Sequence, residues 1–303
     1  MGSTRWSSDD WTDYSSTAKT KTRDEIFTSR SLKSHLDPKT IKVRESRDSD
    51  LNPNSKAIIL AFDVTGSMGH IPEYFVKEGL GKAMTDIFNR KSVVDPHVMA
   101  MAIGDVEYDE DPLQVGQFEA DLRIAQQLSD FWLESGGGGN NYESYILAWY
   151  FAAMKTSIDC FEKRKKKGYL FTIGDEELTP VLSKANIERF VGDKPQSDLT
   201  AGELFKMVST YYHIFHIVVE QGSHASAELD SVLKSWRTVL GQQVLRLSDY
   251  TKLSEVIISA IEVNEGRDKK EVIGTWDKST AVIVGNAISG IEKARVTSDV
   301  VMF

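Results

Sequence analysis

Apolar runs of strand length alternate with longer amphipathic segments from residue 56 onwards. The strand-like runs cover residues 57–62, 97–104, 169–174, 213–220 and 243–247. The helical patterns cover residues 74–89, 122–133, 142–162, 180–190, 225–240 and 250–263. Strands that are apolar throughout and separated by helices are typical of a parallel sheet covered on both faces. The pattern therefore predicts a doubly wound α/β fold with a mostly parallel central sheet.

The two ends of the chain depart from this alternation. Residues 1–55 are rich in Ser, Thr, Asp, Lys and Arg and show no sustained period, which predicts a flexible or extended N-terminal arm. Aromatic residues interrupt the arm, and such residues dock either onto the chain's own domain or onto a partner. Residues 267–303 mix strand-like and helix-like pieces. We therefore divide the chain into an arm (1–55), a domain (56–266) and a C-terminal extension (267–303).

Composition favours an ordinary soluble protein. The 303 residues are 41% hydrophobic and 27% charged, which is enough to bury a substantial core. No stretch approaches the roughly 18 uninterrupted apolar residues of a spanning helix, and the polar N-terminus does not resemble a signal peptide. A cytoplasmic location is the expectation. The single cysteine, Cys160, agrees with it because it has no internal partner for a disulfide.

Charge is distributed unevenly along the chain. Residues 1–55 carry ten basic and nine acidic side chains, whereas the remaining residues carry 26 basic and 36 acidic ones, a net charge of −10. So acidic a domain repels nucleic acid and anionic lipid, and neither is an expected partner. The basic run KRKKK at 163–167 is interpreted as the solvated C-terminal end of a helix, where cations complement the dipole.

Unusual polar residues follow the predicted strands. Asp63, Thr65 and Ser67 come directly after the first strand, Asp175 follows the third, and a glycine run at 136–139 leads into Asn140. Ligands in open α/β folds bind at the carboxyl ends of the strands. Mg²⁺ takes six oxygen ligands in octahedral geometry, and glycines allow a loop to approach closely. These residues predict a Mg²⁺ site, with Mn²⁺ or Ca²⁺ as alternatives.

The same motifs resemble a known family. DVTGSMG at 63–69, GGGNNYES at 137–144 and Asp175 are similar to the metal-ion-dependent adhesion site of von Willebrand factor A domains, over roughly residues 56–265. The resemblance is to intracellular bacterial and phage members. It implies metal-site roles for Asp63, Thr65, Ser67, Asn140 and Asp175. Thr65 keeps the hydroxyl of the family's serine, whereas Asn140 replaces a Thr or Asp with a neutral amide, and Asn141 is an alternative to it.

A rim around the site is predicted to contact a partner. Asp105 follows the second strand in the acidic loop GDVEYDED at 104–111, and we assign it to this rim together with Asn141 and Glu176. Extra acids at the rim would select against some anionic partners.

The resemblance implies binding without bond cleavage. Because only two carboxylates bring charge, a bound cation keeps an open position for a Glu or Asp of a protein partner. An adaptor or assembly factor without catalytic activity is expected, with an AAA-type ATPase or an assembly subunit as its partner. The alternative is a structural subunit of a large assembly, for example a phage particle, with the arm and tail ordered by neighbouring subunits.

Other interpretations of the motif are less favoured. D-V-T-G-S also suits a turn that caps a helix. A serine hydrolase would use Ser67, Asp175 and a histidine from 213–224, but residue 65 is Thr where G-x-S-x-G requires Gly, and Asp63 would have no role. A D-x-D phosphohydrolase lacks its second aspartate, and no G-K-[ST] follows the glycines as a P-loop requires. His213 and His216 lie in a buried-strand pattern and are interpreted as core residues.

Overall fold

A computed structural model describes residues 5–134 and 140–291, apart from the side chain of Phe88. Its strands are β1 (Arg44–Ser46), β2 (Ser55–Asp63), β3 (Asp95–Ile103), β4 (Leu113–Val115), β5 (Tyr142–Glu143), β6 (Thr156–Ile158), β7 (Gly168–Gly174), β8 (Glu177–Leu178), β9 (Val181–Leu182), β10 (Leu199–Thr200), β11 (Tyr212–Val219) and β12 (Val244–Leu247). Its helices are α1 (Ser8–Lys19), α2 (Arg23–Ile26), α3 (Ile71–Tyr74), α4 (Leu80–Arg90), α5 (Arg123–Ser129), α6 (Tyr145–Met154), α7 (Asp159–Glu162), α8 (Lys184–Phe190), α9 (Ala201–Ser209), α10 (Ser223–Leu240), α11 (Leu253–Asn264), α12 (Lys269–Gly274) and α13 (Lys278–Ala287). A π-helical turn joins α3 to α4.

The central sheet has six strands in the order β12-β11-β7-β2-β3-β4. All neighbours are parallel except β4, which runs antiparallel at one edge. Strand β2 is buried along its whole length, as a strand covered on both faces must be. The doubly wound, mostly parallel fold is confirmed. Because the chain places β3 on one side of β2 and β7 on the other, the loops after β2 and β7 flank a crevice at the switch point.

Alternate side chains of β2 serve two separate cores. Ile58, Leu60 and Phe62 pack on one face of the sheet with α4, α5 and α11. Ala57, Ile59 and Ala61 pack on the other face with α6, α9 and α10. Every residue of α6 from Tyr145 to Ala152 is buried, so this helix is apolar all round.

The predicted helix 142–162 is interrupted in the structure. Helix α6 ends at Met154, and residues Thr156–Ile158 form β6, which pairs in parallel with β1 from the N-terminal region. The basic run follows the short helix α7. A second difference is α9, which the sequence patterns missed although Thr200 and Glu203 form a capping box at its start.

The N-terminal region differs from the predicted flexible or extended arm. Ser7 caps α1, and Trp11 is buried with only 9% of its surface exposed. The Trp11 indole lies so close to Gly81 that a Cβ there would lie 1.6 Å from the ring. The Trp6 and Tyr14 rings lie against the Trp11 ring at tilted angles, with centroid distances of 5.5 and 5.3 Å. The aromatics of the arm dock onto the chain's own domain because this removes their apolar area from water.

The C-terminal region is helical as far as it is described. Helices α12 and α13 pack on α11, and the Trp276 indole N–H donates to Ser259 at 2.9 Å. Residues 292–303 lie outside the described residues.

The division into arm, domain and extension stays a prediction. Within the described residues, no helix combines the length and the apolar character needed to cross a bilayer.

Candidate metal centre

The loop after β2 folds back onto the aspartate that ends the strand. Asp63 Oδ1 accepts hydrogen bonds from the Thr65 amide at 2.9 Å and from the Thr65 hydroxyl at 2.6 Å. Aspartate commonly closes such a turn with the backbone two residues on. The chain then makes a 3₁₀ turn, Gly66–Met68, which ends at Gly69 with φ +55°, a conformation that favours glycine. This turn places the side chains of Thr65 and Ser67 side by side.

Hydroxyl groups link the β2 loop to the end of β7. The Ser67 hydroxyl donates to Asp175 Oδ1 at 2.7 Å and lies 3.2 Å from the Thr65 hydroxyl. A continuous row of oxygens therefore runs from Asp63 through Thr65 and Ser67 to Asp175. The structure brings together four of the five predicted metal-site residues, and their role as ligands stays a prediction.

Other groups hold the outer oxygens of the two carboxylates. The Tyr145 hydroxyl donates to Asp63 Oδ2 at 2.7 Å, and the His224 amide donates to Asp175 Oδ2 at 2.9 Å. Both approaches require glycine. A Cβ at Gly174 would lie 1.9 Å from the Tyr145 hydroxyl, and one at Gly222 would lie 2.3 Å from the Asp175 side chain. The supporting roles of Tyr145, Gly174, Gly222 and His224 were not predicted. Tyr145 lies in an apolar helix and His224 in a Gly-Ser-His turn, and neither local pattern indicates a contact with an acid that is distant in sequence.

Asn140 lies outside this row of oxygens. Its amide nitrogen donates to Asp105 Oδ2 at 2.6 Å, and its amide oxygen accepts from the Tyr142 amide at 3.1 Å. Asn141 is exposed beside it. The predicted glycine run 136–139 lies outside the described residues. The fifth predicted ligand is thus directed to the acidic loop after β3, because its own backbone turn and Asp105 satisfy its amide.

Two of the three predicted rim residues are buried, which differs from an exposed rim. Asp105 is 3% exposed, and its Oδ1 accepts from the Glu107 amide at 2.9 Å. Glu176 is 7% exposed, and its Oε2 has no hydrogen-bond partner among the residues that the structure describes. The Asp105 side chain closes a turn with its own loop, whereas the backbone of Glu176 is held by the buried Tyr145 and Trp236. Of the predicted rim, Asn141 is the residue that the structure leaves accessible.

The site is strongly acidic. Buried carboxyl groups gather at this edge of the sheet, namely Asp63, Asp105, Asp109, Glu143, Asp175 and Glu176. None of them forms an ion pair with Lys or Arg within residues 5–134 and 140–291. Uncompensated negative charge in a buried place is costly unless a cation or a proton neutralises it.

The pKa values express this cost. Burial, and then the nearby charge of Asp175, raises the pKa of Asp63. Burial, and then the charges of Asp63 and Asp175, raises the pKa of Glu176 to about 8. Burial, and then the charges of Asp63 and Glu176, raises the pKa of Glu143. Within the described part of the chain, Glu143 Oε2 also lacks a hydrogen-bond partner. The protein holds these acids where the ionised form is disfavoured.

The residues fit a Mg²⁺ ion. With bonds of about 2.0–2.1 Å, adjacent oxygens of a Mg²⁺ octahedron lie about 3 Å apart. Consecutive oxygens in the row are separated by 2.6, 3.2 and 2.7 Å. Each hydroxyl proton is engaged by a carboxylate, which leaves the lone pairs of the hydroxyl oxygen available. Among the described residues, no three His, Cys, Asp or Glu side chains are grouped to hold a metal by themselves, so the hydroxyls are essential to this set.

Comparisons with known proteins find similarity only among solved structures. No protein-family model matches the chain, and no curated protein matches it. One similar structure is proximal thread matrix protein 1 from the mussel byssus, at 11% identity and a TM-score of 0.43, covering 69% of this chain and 47% of that one. A von Willebrand factor type A structure from Catenulispora acidiphila matches at 14% identity and a TM-score of 0.40, covering 71% of this chain and 44% of that one. The pilus adhesin SpaC from Lactobacillus rhamnosus GG, in its open conformation, matches at 8% identity and a TM-score of 0.44, covering 73% of this chain and 31% of that one.

The matched region is thus less than half of each of those three proteins. A shared fold does not imply a shared function.

Proposed function

We propose that the chain is a divalent-cation-dependent protein-interaction module. In this proposal Asp63, Thr65, Ser67 and Asp175 hold Mg²⁺, and the cation receives a Glu or Asp side chain from a protein partner. One observation carries the proposal. Two buried carboxylates are joined by two hydroxyls, and no Lys or Arg in the described part of the chain neutralises them.

Each residue has a distinct part in this proposal. Thr65 and Ser67 offer hydroxyl oxygens, and the two aspartates supply the charge. Tyr145 and the His224 amide orient the carboxylates from behind. A cation bound here supplies a Lewis-acidic position for an oxygen from outside the chain. Ser67 is only partly buried, so this side of the site is open to an approaching partner.

The proposal assigns no catalytic step to the chain. A nucleophilic serine needs a base that takes its proton. The Ser67 hydroxyl donates instead to Asp175, and within the described residues no histidine side chain forms a hydrogen bond with it. A fluorophosphonate probe that labels Ser67 would favour the hydrolase alternative.

The chemistry of the open position requires an acidic group on the partner. A protein that presents an exposed acid suits it, and we propose an AAA-type ATPase or an assembly subunit, with this chain as an adaptor or assembly factor. A structural subunit of a larger particle is the alternative. The two differ in whether binding to the partner requires the cation.

Calorimetric titration tests the metal site directly. We expect saturable Mg²⁺ or Mn²⁺ binding to the wild type and at least a tenfold weaker affinity for Asp63→Asn, since a charged ligand contributes about 1.5–3 kcal/mol. Asp230→Asn is the matched control, because Asp230 is an exposed acid on α10. Absence of binding to the wild type, or equal affinities for all three proteins, would refute the metal site.

Affinity capture then tests the role of the cation in binding. Wild-type bait should retain its partner in Mg²⁺ and lose it in EDTA, and Asp63→Asn bait should fail in both conditions. Capture that is indifferent to EDTA and to the substitution would defeat the adaptor proposal and favour the structural subunit.

A further inference from the structure

A cavity of about 360 Å³ lies at the opposite, amino edge of the sheet. It opens beside the first residues of β2 and β3 and is lined by Lys91–Val94 and by Cys160, Arg164 and Lys166. Four cationic side chains line it, namely Lys56, Lys91, Arg164 and Lys166. Glu265 is the one acid among the lining residues. So basic a cavity contrasts with the net charge of −9 of the whole chain.

Two of these cations are neutralised and held in place. Lys56 Nζ lies 2.8 Å from Glu265 Oε1. The Arg164 guanidinium donates to both oxygens of Asp48, at 2.7 and 3.1 Å, and to the Ser55 carbonyl at 2.7 Å. These pairs form a fixed polar wall, and they contribute little net charge to the cavity.

The other two cations are uncompensated. Lys91 and Lys166 are exposed at the cavity, and neither ammonium group has an ion pair or a hydrogen bond within the described residues. Together they place two positive charges at the mouth of a preformed cavity. A lysine ammonium acts as a compact point charge, which is a common way of binding phosphate.

The backbone is strained in the two segments that carry Lys91 and Lys166. Within the described chain, Lys91 and Lys165 are the non-glycine residues with positive φ, at 53° and 55°. Glycine would adopt this conformation with less strain. Strained backbone collects at ligand-binding sites, where it places a side chain or redirects the chain. Here it sets the path of the chain at Lys91 itself and immediately before Lys166.

We propose that this cavity binds a small molecule carrying a phosphate monoester or diphosphate group, held by the ammonium groups of Lys91 and Lys166. Its volume exceeds that of one phosphate and falls at the small end of ligand sites, which range over about 300–1,000 Å³. Val93 and Val94 supply an apolar wall for the remainder of the ligand. Two free cations match a dianion, whereas a nucleic acid strand needs a longer basic track.

Calorimetric titration with inorganic pyrophosphate and with AMP tests the site. The buffer contains EDTA, so that no divalent cation carries phosphate to the acidic edge. We expect saturable binding to the wild type and at least about a tenfold loss of affinity in Lys91→Gly and in Lys166→Gln, because each removes one charged contact. Lys91→Gly suits the local φ and should fold normally.

Lys165→Gly is the matched control. It removes a neighbouring lysine and relieves the same backbone strain, but it leaves both cavity ammonium groups in place, so its affinity should stay within about twofold of the wild type. Asp63→Asn should also bind normally, which separates this site from the proposed metal site.

Four outcomes would overturn the proposal. The first is absence of saturable binding to the wild type. The second is an equal loss of affinity in Lys165→Gly and Lys91→Gly, which would indicate attraction by surface charge alone. The third is loss of binding in Asp63→Asn. The fourth is tighter binding of a short single-stranded oligonucleotide than of pyrophosphate.

Discussion

At the scale of single residues, the candidate metal centre depends on two glycines as well as on its oxygen-bearing side chains. Gly174 and Gly222 have no side chain, and this absence allows the Tyr145 hydroxyl and the Asp175 carboxylate to take their places. The acids themselves are held by donors, with an amide or a hydroxyl for each oxygen of Asp63 and of Asp175. A small change beside Asp175 should therefore disturb the site without removing any proposed ligand.

Gly222→Ala should weaken Mg²⁺ binding by about tenfold or more, since its Cβ would lie 2.3 Å from the Asp175 side chain and must displace it. Overpacking of this kind should lower the free energy of unfolding by about 1–3 kcal/mol. Calorimetric Mg²⁺ titration and urea denaturation measure the two effects. Gly202→Ala is the control, because a Cβ at Gly202 meets nothing within 4 Å. An unchanged Mg²⁺ affinity in Gly222→Ala, alongside a loss in Asp63→Asn, would show that the position of Asp175 is unimportant.

At the scale of elements, the N-terminal region forms part of one face of the fold. Helix α1 packs against α4 and against the π-helical turn that precedes α4. This turn and α4 belong to the helical segment that follows the candidate metal loop. Strand β1 pairs with β6, and Arg47 Nη1 forms an ion pair with Asp159 at 2.8 Å. Helix α1 is held mainly by its aromatic residues, because most of its other side chains are polar and exposed.

Trp11→Ala should release α1 from the domain. Truncating a buried tryptophan costs about 3–5 kcal/mol, and detachment of the helix limits the loss in the rest of the fold. Limited proteolysis should then cut near residues 8–30 faster than in the wild type, while the remainder of the chain resists. Thr12→Ala, one position further along on the exposed face of α1, should behave as the wild type does. Equal cleavage rates for the three proteins would show that Trp11 does not hold the helix.

At the scale of the whole molecule, the strand order makes the two proposed sites independent. The acids lie at the carboxyl edge of the sheet and the basic cavity at its amino edge, because β2, β3 and β7 run parallel to one another. The carboxyl edge concentrates buried negative charge, which weakens the metal-free fold. A cation bound there should stabilise the folded chain as a whole.

Mg²⁺ in hundredfold excess over its dissociation constant should stabilise the fold by about 2.7 kcal/mol, which corresponds to a rise in Tm of about 5 °C for a chain of this size. Asp63→Asn should show no such rise. Without Mg²⁺, its Tm should equal or exceed that of the wild type, because the repulsion between Asp63 and Asp175 is gone. Thermal unfolding with and without Mg²⁺ measures both. A rise of equal size in the variant would mean that Mg²⁺ acts elsewhere on the chain.

The sequence by itself determined the class of fold and the main strands of the sheet. Mainly apolar runs such as 57–62 and 169–174 are marked by their composition, and their existence as strands needs no long-range information. The juxtaposition of Asp63 with Asp175 also follows from the sequence once the strands are taken as parallel neighbours.

Only the tertiary structure decided the remainder. Helix α6 ends early because β6 pairs with β1, more than 100 residues away. Asn140 turns to Asp105, and Tyr145 and Gly222 support the acids, through contacts that carry no local pattern. Lys166 is likewise distinguished from its neighbours in the basic run only by the structure, in which Lys163 and Arg164 form ion pairs with Asp159 and Asp48. Periodicity reports which face of an element is buried, whereas the identity of each partner depends on how distant elements pack.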